Sequence, residues 1–281
     1  MTEYSSDGSA SGGAWKPDLA GVDAGMAQRK LRRRLLSVLR NQELEIAYQA
    51  AIRLDAPRVE FFEALARFRS EEGPDLWFAA AARAGLGPEL EMLAARSAIA
   101  GLALLPEGSS ISINVSPATI LSPIFIEDLD SAPLEQLILE ITENEAIDSY
   151  EAIMDVLTPL RERGLRIAVD DVGAGYASFR HILQIRPDII KLDVSICRRN
   201  HEDDARRALI SALITFARQV GSELVAEGVE TILELKSLRA LGMTIVQGYV
   251  FARPASIGRM SDGQPSKESF RGLLRSLAKA A

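Results

Sequence analysis

Residues 45–66 read EIAYQAAIRLDAPRVEFFEALA, and they contain two apolar stretches, 45–50 and 59–66, that are typical of β-strands. Only the eight residues AIRLDAPR (51–58) separate the two stretches. A crossover between parallel strands needs a dozen or more residues, so this connection is too short for a parallel pair. The stretch therefore predicts a first strand that runs antiparallel to the second.

Six further candidate strands follow, at 110–115, 136–142, 166–171, 188–194, 223–229 and 244–250. Helical patterns lie between them, and several end in a glycine that suits a helix C-cap. Eight strands with intervening helices predict an α/β fold, a TIM-type β/α barrel modified by its antiparallel first strand. The alternative is an open doubly wound sheet, but its phosphate-loop glycine fingerprint is not found after the first strand.

Composition limits the class of protein. The 281 residues are 47% hydrophobic and 25% charged, and the net charge of −7 disfavours a protein that binds DNA through a basic face. We find no signal peptide and no apolar run of the ~18–20 residues that a membrane span needs. The single cysteine, Cys197, excludes an intramolecular disulfide and is predicted to be an exposed thiol. We therefore expect a soluble, cytoplasmic protein.

The two ends of the chain differ in character. Residues 1–27 are rich in glycine, serine and alanine, so we expect a disordered tail or linker there. Residues 28–281 are expected to form the folded domain, and 266–280 resemble a closing amphipathic helix.

Polar side chains stand at or near the carboxyl end of nearly every candidate strand. They are Gln49, Glu63, Asn114, Glu140, Asp170, Asp171, Lys191, Asp193, Glu227 and Gln247. A single polar residue of this kind can be explained as a solvent-exposed position at the rim of the barrel. A series of them across eight strands cannot be explained in this way. Because barrel active sites are built at this end of the strands, the series predicts a catalytic site.

The carboxylates in this series would repel each other unless a cation lay among them. Oxygen ligands favour hard cations such as Mg²⁺ or Mn²⁺. The adjacent pair Asp170-Asp171 can serve two ions, and two ions ~3.5–4 Å apart promote in-line attack on a phosphodiester. Lys191 can hold or activate the attacking water, while Gly173 and Gly175 allow the following loop to turn sharply. Glu143 is predicted to orient that loop.

A series of motifs resembles the EAL-domain family, bacterial phosphodiesterases of the second messenger cyclic di-GMP. The motifs are Tyr48-Gln49, Glu63-Ala64-Leu65, INVS (113–116), LEITE (139–143), DDVGAGYAS (170–178), KLD (191–193), AEGVET (226–231) and QGYVFARP (247–254). They occur in the order of the family and cover roughly residues 28–256. The resemblance thus extends over most of the chain.

The resemblance implies specific roles for these positions. Glu63, Asn114, Glu140 and Asp170 would ligate one metal, and Asp170, Asp171 and Glu227 the second. Lys191 would contact the nucleophilic water, with Asp193 and Gln247 supporting the metal centre and Glu143 steadying the loop after Asp171. Gln49, Leu65, Arg67 and Glu230 would contact substrate, Arg67 by pairing with a phosphate. The implied reaction converts cyclic di-GMP to linear pGpG, and the family also suggests a homodimer.

Several positions depart from the family pattern. Ala50 replaces a proline, Val172 replaces the phenylalanine of DDFG, Phe68 replaces a tryptophan, and the stretch 69–87 is shorter than usual. These changes leave two alternatives open. One is an inactive EAL domain that acts as a cyclic di-GMP receptor or protein-interaction module. The other is a barrel enzyme in which Lys191 abstracts a proton beside a single Mg²⁺. A separate sensor protein could supply the regulatory signal.

Overall fold

The structure, a computed structural model, describes the backbone of residues 19–70, 72–142, 147–173 and 178–256. The strands in these ranges are β1 (Leu44–Arg53), β2 (Arg58–Phe68), β3 (Ile111–Asn114), β4 (Leu137–Thr142), β5 (Arg166–Val172), β6 (Ile189–Leu192), β7 (Glu223–Ala226), β8 (Ile245–Gln247) and β9 (Ala255–Ser256). The helices are α1 (Leu19–Asn41), α2 (Pro74–Arg83), α3 (Gly87–Gly101), α4 (Pro117–Ile120), α5 (Pro123–Asp130), α6 (Tyr150–Glu162), α7 (Ser178–Ile185), α8 (Val194–Cys197), α9 (Asp204–Val220) and α10 (Ile232–Ala240).

The sheet closes on itself as a barrel. Strands β2 to β8 lie side by side in chain order and pair in parallel. Strand β1 fills the gap between β8 and β2 and runs antiparallel to both. The predicted barrel with an antiparallel first strand is therefore confirmed. The two-residue β9, which pairs with β1 at Tyr48 and Ala255, is too short to be predicted from alternation.

The inside of the barrel is filled by one layer of apolar side chains from alternating strand positions. Its members are Ala51, Phe61, Ile138, Ala168, Ile189, Val225 and Ile245. All are essentially inaccessible to solvent, so the lower part of the barrel is a packed core rather than a channel. Polar groups at the carboxyl ends of the strands therefore have a rigid apolar support directly beneath them.

Helix α1 packs outside the barrel against α2 and α3. Its residues Leu35 and Val38 are buried together with Trp77, Leu90 and Leu93 in a separate apolar cluster. The helix begins at Leu19, so it extends into the segment that was expected to be a tail. Residues 1–18 and the predicted C-terminal helix at 266–280 lie outside the described residues.

Cys197 is completely buried, so the prediction of an exposed thiol is wrong. Strand β6 ends at Leu192, and the short helix α8 turns the chain inward before residue 197. The Cys197 Sγ atom lies 3.8 Å from the backbone oxygen of Leu192. In the sequence Cys197 lies just beyond a predicted strand. The sequence pattern does not show that the chain turns inward there.

None of the helices in the described part of the chain is both long and apolar enough to cross a membrane.

Candidate active site

The polar residues of the site form a layer directly above the apolar layer that fills the barrel. Alternate residues of a strand face the same side, so each lies two positions from an inward-facing apolar residue. The pairs are Phe61 with Glu63, Ile138 with Glu140, Ala168 with Asp170, Ile189 with Lys191, Val225 with Glu227, Ile245 with Gln247 and, on the antiparallel β1, Ala51 with Gln49. Seven strands thus direct polar side chains toward the barrel axis at the same level.

Lys191 lies at the centre of this layer, and four carboxylates surround it. Its Nζ atom is 2.7 Å from Glu227 Oε1, 2.9 Å from Glu140 Oε1 and 3.2 Å from Asp170 Oδ1. The fourth, Glu63 Oε1, is 3.8 Å away. Lys191 is 0% exposed, so these acids balance its charge where water does not reach.

The surroundings of these groups shift their protonation. Burial lowers the pKa of Lys191, but the charges of the four acids outweigh it and raise that pKa well above its ordinary value. Burial raises the pKa of Glu140 to about 8, against the opposing charge of Lys191. Burial likewise raises the pKa of Glu227. Lys191 is therefore cationic in the metal-free chain, while Glu140 and Glu227 hold protons more tightly than exposed carboxyls do.

Two groups of carboxylates have the spacing that a metal ion requires. Ligand atoms of Glu63, Glu140 and Asp170 all lie within 4.8 Å of one another, and so do those of Asp170, Asp171 and Glu227. Asp170 belongs to both groups. Glu140 Oε1 faces Lys191 Nζ, whereas the buried Glu140 Oε2 has no hydrogen-bond partner among the described residues. These all-oxygen groups fit two hard divalent cations.

The backbone at Asp171 explains how two adjacent aspartates serve one site. Successive strand residues face opposite sides, but Asp171 has a left-handed backbone with φ of 55°, and the pairing of β5 with β6 is irregular between Val169 and Val172. The Asp171 amide donates to Asp170 Oδ1 at 2.9 Å. Burial, followed by the charges of Asp170 and Asp193, raises the pKa of Asp171 to about 6.

Gly173 completes this turn. Its φ is +110°, and a Cβ atom there would lie 2.1 Å from Ile196 Cδ1. The other two residues assigned to this loop, Gly175 and Glu143, lie outside the described residues.

Gln247 on β8 contacts both Glu63 on β2 and Gln49 on β1. Gln247 Nε2 donates to Glu63 Oε2 at 2.5 Å and to Gln49 Oε1 at 3.3 Å. Gln49 in turn donates to the backbone oxygen of Ala252 at 3.0 Å. Asp193 has a different partner, because its carboxylate accepts from the Ser195 amide at 2.8 Å and caps helix α8.

Two cavities open beside the carboxylates. The larger, of about 970 Å³, is lined by Leu65, Arg67, Asn114, Asp170 and Asp171 among others. The smaller, of about 260 Å³, is lined by Gln49, Glu63, Glu227, Glu230 and Gln247 among others. The predicted metal and substrate residues in the described part of the chain therefore converge on one face of the barrel.

The lining residues that were not predicted from the sequence include three with polar side chains. Arg198 and Tyr249 line the smaller cavity, and Arg198 forms an ion pair with Glu230 at 2.5 Å. Glu91 on α3 lines the larger cavity and accepts from the Ser116 amide at 2.7 Å. None of the three ends an apolar strand, so the pattern that identified the other residues does not mark them.

Comparison with known proteins agrees with this geometry. A family model described as the EAL domain matches residues 28–254. PdeG of Escherichia coli K12, described as a probable cyclic di-GMP phosphodiesterase, is 31% identical over 236 residues, covering 79% of this chain and 46% of PdeG. NbdA of Pseudomonas aeruginosa PAO1, described as a cyclic di-GMP phosphodiesterase, is 28% identical over 83% of this chain and 32% of NbdA. The chain thus spans less than half the length of these two relatives.

Among solved structures, Klebsiella pneumoniae BlrP1 in complex with calcium and cyclic di-GMP is similar to this chain, with a TM-score of 0.71 and 31% identity. The alignment covers 80% of this chain and 58% of BlrP1. The manganese and cyclic di-GMP complex of BlrP1 at pH 9.0 has a TM-score of 0.69 and 30% identity, covering 76% of this chain and 57% of BlrP1.

Proposed function

This chain belongs to the EAL domain family, and we propose that it hydrolyses one phosphodiester bond of cyclic di-GMP to give linear pGpG. The observation that carries the proposal is the pair of carboxylate groups that share Asp170 and border both cavities. Two cations held by one bridging carboxylate are the apparatus of in-line phosphodiester hydrolysis. The proposed ions are Mg²⁺ or Mn²⁺.

The metal ligands follow from the two groups. Glu63, Glu140 and Asp170, together with Asn114 at the end of β3, would hold one ion, and Asp170, Asp171 and Glu227 would hold the other. Bound there, the ions would supply a water of lowered pKa and stabilise charge on the phosphate. Gln247 would keep Glu63 oriented, because its amide already donates to the Glu63 carboxylate.

Lys191 would act as a hydrogen-bond donor in this site. In the metal-free chain the four acids around it hold Lys191 cationic, and an ammonium group can donate a hydrogen bond that orients the attacking water. Asp193, which caps α8, would support the hydrated metal centre.

The cavities suit a substrate with two bases. The larger cavity has the size of a site for a small molecule, and Arg67 on its wall can pair with a phosphate. Leu65 would contact a base in this cavity, while Gln49 and Glu230 would contact the other half of the substrate in the smaller one. The scissile phosphate would then lie over Asp170. A homodimer is an expectation from the family, while a cytoplasmic location and a separate sensor protein are expectations from the sequence.

The test is to incubate the purified chain with cyclic di-GMP and Mg²⁺ or Mn²⁺ and to follow pGpG by chromatography. Glu63→Gln keeps the side-chain shape but removes a ligand charge, so it should abolish turnover. Glu45→Gln is the matched control, because Glu45 lies on β1 in an exposed ion pair with Arg69. Binding of cyclic di-GMP without any pGpG would contradict the proposal and favour the receptor alternative.

A further inference from the structure

Helix α1 lies directly behind the wall of the larger cavity. The apolar cluster beneath α1 includes Ile46, Phe78 and Ala94 as partly buried members, and the same three residues line the cavity. One layer of side chains therefore separates α1 from the space proposed for the substrate.

A continuous stack of side chains crosses this layer. The Arg34 guanidinium of α1 lies 4.9 Å from the ring centroid of Trp77. Trp77 stacks on Phe68 with 4.9 Å between ring centroids and an angle of 11° between ring planes. Phe68 in turn contacts Phe78 edge to face at 5.8 Å. The stack thus connects a cation on α1 to an aromatic ring of the cavity wall.

Polar contacts anchor the α1 end of the stack. Glu72 accepts two hydrogen bonds from Arg34, at 2.9 Å and 2.6 Å, and the Trp77 indole donates to Ser70 Oγ at 2.9 Å. The side chains of Arg34 and Glu72 are 41% and 45% exposed, whereas Trp77 is only 6% exposed. Solvent weakens the ion pair itself, so its main effect is to hold the guanidinium over the buried ring.

The other end of the stack reaches two parts of the proposed substrate site. Phe68 directly follows Arg67, whose side chain lines the larger cavity, and Phe78 lines the same cavity from α2. A shift of the Trp77 ring would therefore move Phe68, and with it Arg67, which precedes Phe68 in the chain, and Phe78, which packs against its ring. The backbone that carries Arg67 and the ring of Phe78 would move together.

We propose that Arg34 and Trp77 are positioning residues for the substrate cavity, so that the packing of α1 sets the affinity of the site. This inference rests on the proposed function. Neither residue would touch the substrate; both act through Phe68 and Phe78. The proposal also gives the shortened stretch 69–87 a role, because that stretch carries Ser70, Glu72 and Trp77.

The test compares Arg34→Gln with Arg33→Gln, a matched change at a neighbouring exposed position of α1. Loss of the cation–π contact should raise KM for cyclic di-GMP about fivefold and leave kcat within about twofold. Arg33→Gln should change neither constant. Trp77→Phe should also raise KM, because it keeps an aromatic ring but removes the indole hydrogen bond to Ser70.

Fluorescence provides a second readout. The chain has two tryptophans, so Trp15→Phe leaves Trp77 as the single reporter. Titration of this variant with cyclic di-GMP and Ca²⁺ should change the Trp77 emission in a saturable way, and Arg34→Gln should shift the midpoint to higher concentration.

Equal KM values for the two arginine variants, or a fall in kcat at unchanged KM, would overturn the positioning role. An unchanged Trp77 emission on binding would overturn it as well. Failure of the proposed function is distinct, since the wild-type chain would then show no turnover.

Discussion

Nζ of Lys191 lies 2.7 Å from Oε1 of Glu227, at a depth where the lysine side chain has no contact with water. Lys191 thus contributes the positive charge at the centre of four acids. A buried charge is tolerated only with such partners, and removal of one partner leaves the others uncompensated.

Lys191→Met should therefore destabilise the metal-free chain by about 3–5 kcal/mol, because the four acids lose their balancing cation. Added Mn²⁺ should restore most of this loss, since bound cations would neutralise the same carboxylates. Thermal unfolding in EDTA and in Mn²⁺ measures both effects. Arg163→Met, which removes an exposed pair with Asp130, should change stability by less than about 1 kcal/mol in either buffer. Equal melting temperatures of Lys191→Met and Arg163→Met in EDTA would contradict the prediction.

Metal affinity should increase as the pH rises from 6 to 8. In the metal-free chain burial raises the pKa of Asp171 to about 6 and that of Glu140 to about 8, so both acids carry protons through part of this range. A metal ion must displace those protons, and a higher pH makes the displacement easier. Calorimetric titration with Mn²⁺ in two buffers of different ionisation enthalpy measures the affinity and the protons released.

Asp171→Asn is the control for this pH dependence. Asparagine tolerates the left-handed backbone of residue 171 but has no proton to lose, so fewer protons should be released near pH 6. An affinity that stays constant between pH 6 and 8 would show that these acids are already ionised without metal.

Cys197 should not react with a thiol reagent while the chain is folded. Burial raises the pKa of its thiol to about 12, and the reactive thiolate is therefore scarce at pH 8. Ellman's reagent should give no colour with the native chain over minutes. The same sample in guanidinium chloride, where the thiol is exposed, should give one equivalent. Rapid reaction of the native chain would mean that α8 opens readily.

Gly173→Ala should destabilise the fold by about 1–3 kcal/mol, because residue 173 has a positive φ and a new Cβ would collide with Ile196. Chemical unfolding measures the loss of free energy. Gly73→Ala is the control, since its φ is −65° and no atom lies within 4 Å of the added carbon. A loss as small as that of the control would show that Ile196 moves aside without cost.

The barrel and the clustering of polar residues at its mouth could be predicted from sequence because both depend on local rules. Alternation identifies strands, and the short connection between β1 and β2 requires an antiparallel pair. Polar residues such as Glu140 and Asp170 lie near the carboxyl ends of apolar strands, and parallel strands bring these ends to one face. The two groups of carboxylates that share Asp170 match the sets named from the EAL resemblance, apart from Asn114, which contributes no carboxylate.

The sequence by itself thus determined the order of the strands, the antiparallel start and the residues that face the barrel mouth. Tertiary structure alone decided that Lys191 lies within the acids, that Asp171 turns back toward Asp170, and that Arg34 stacks on Trp77. It also decided that Cys197 is buried. The physical reason is that strand periodicity is a property of neighbouring residues. Burial, charge balance and ring stacking depend instead on elements that are distant in the chain and meet only in the folded barrel.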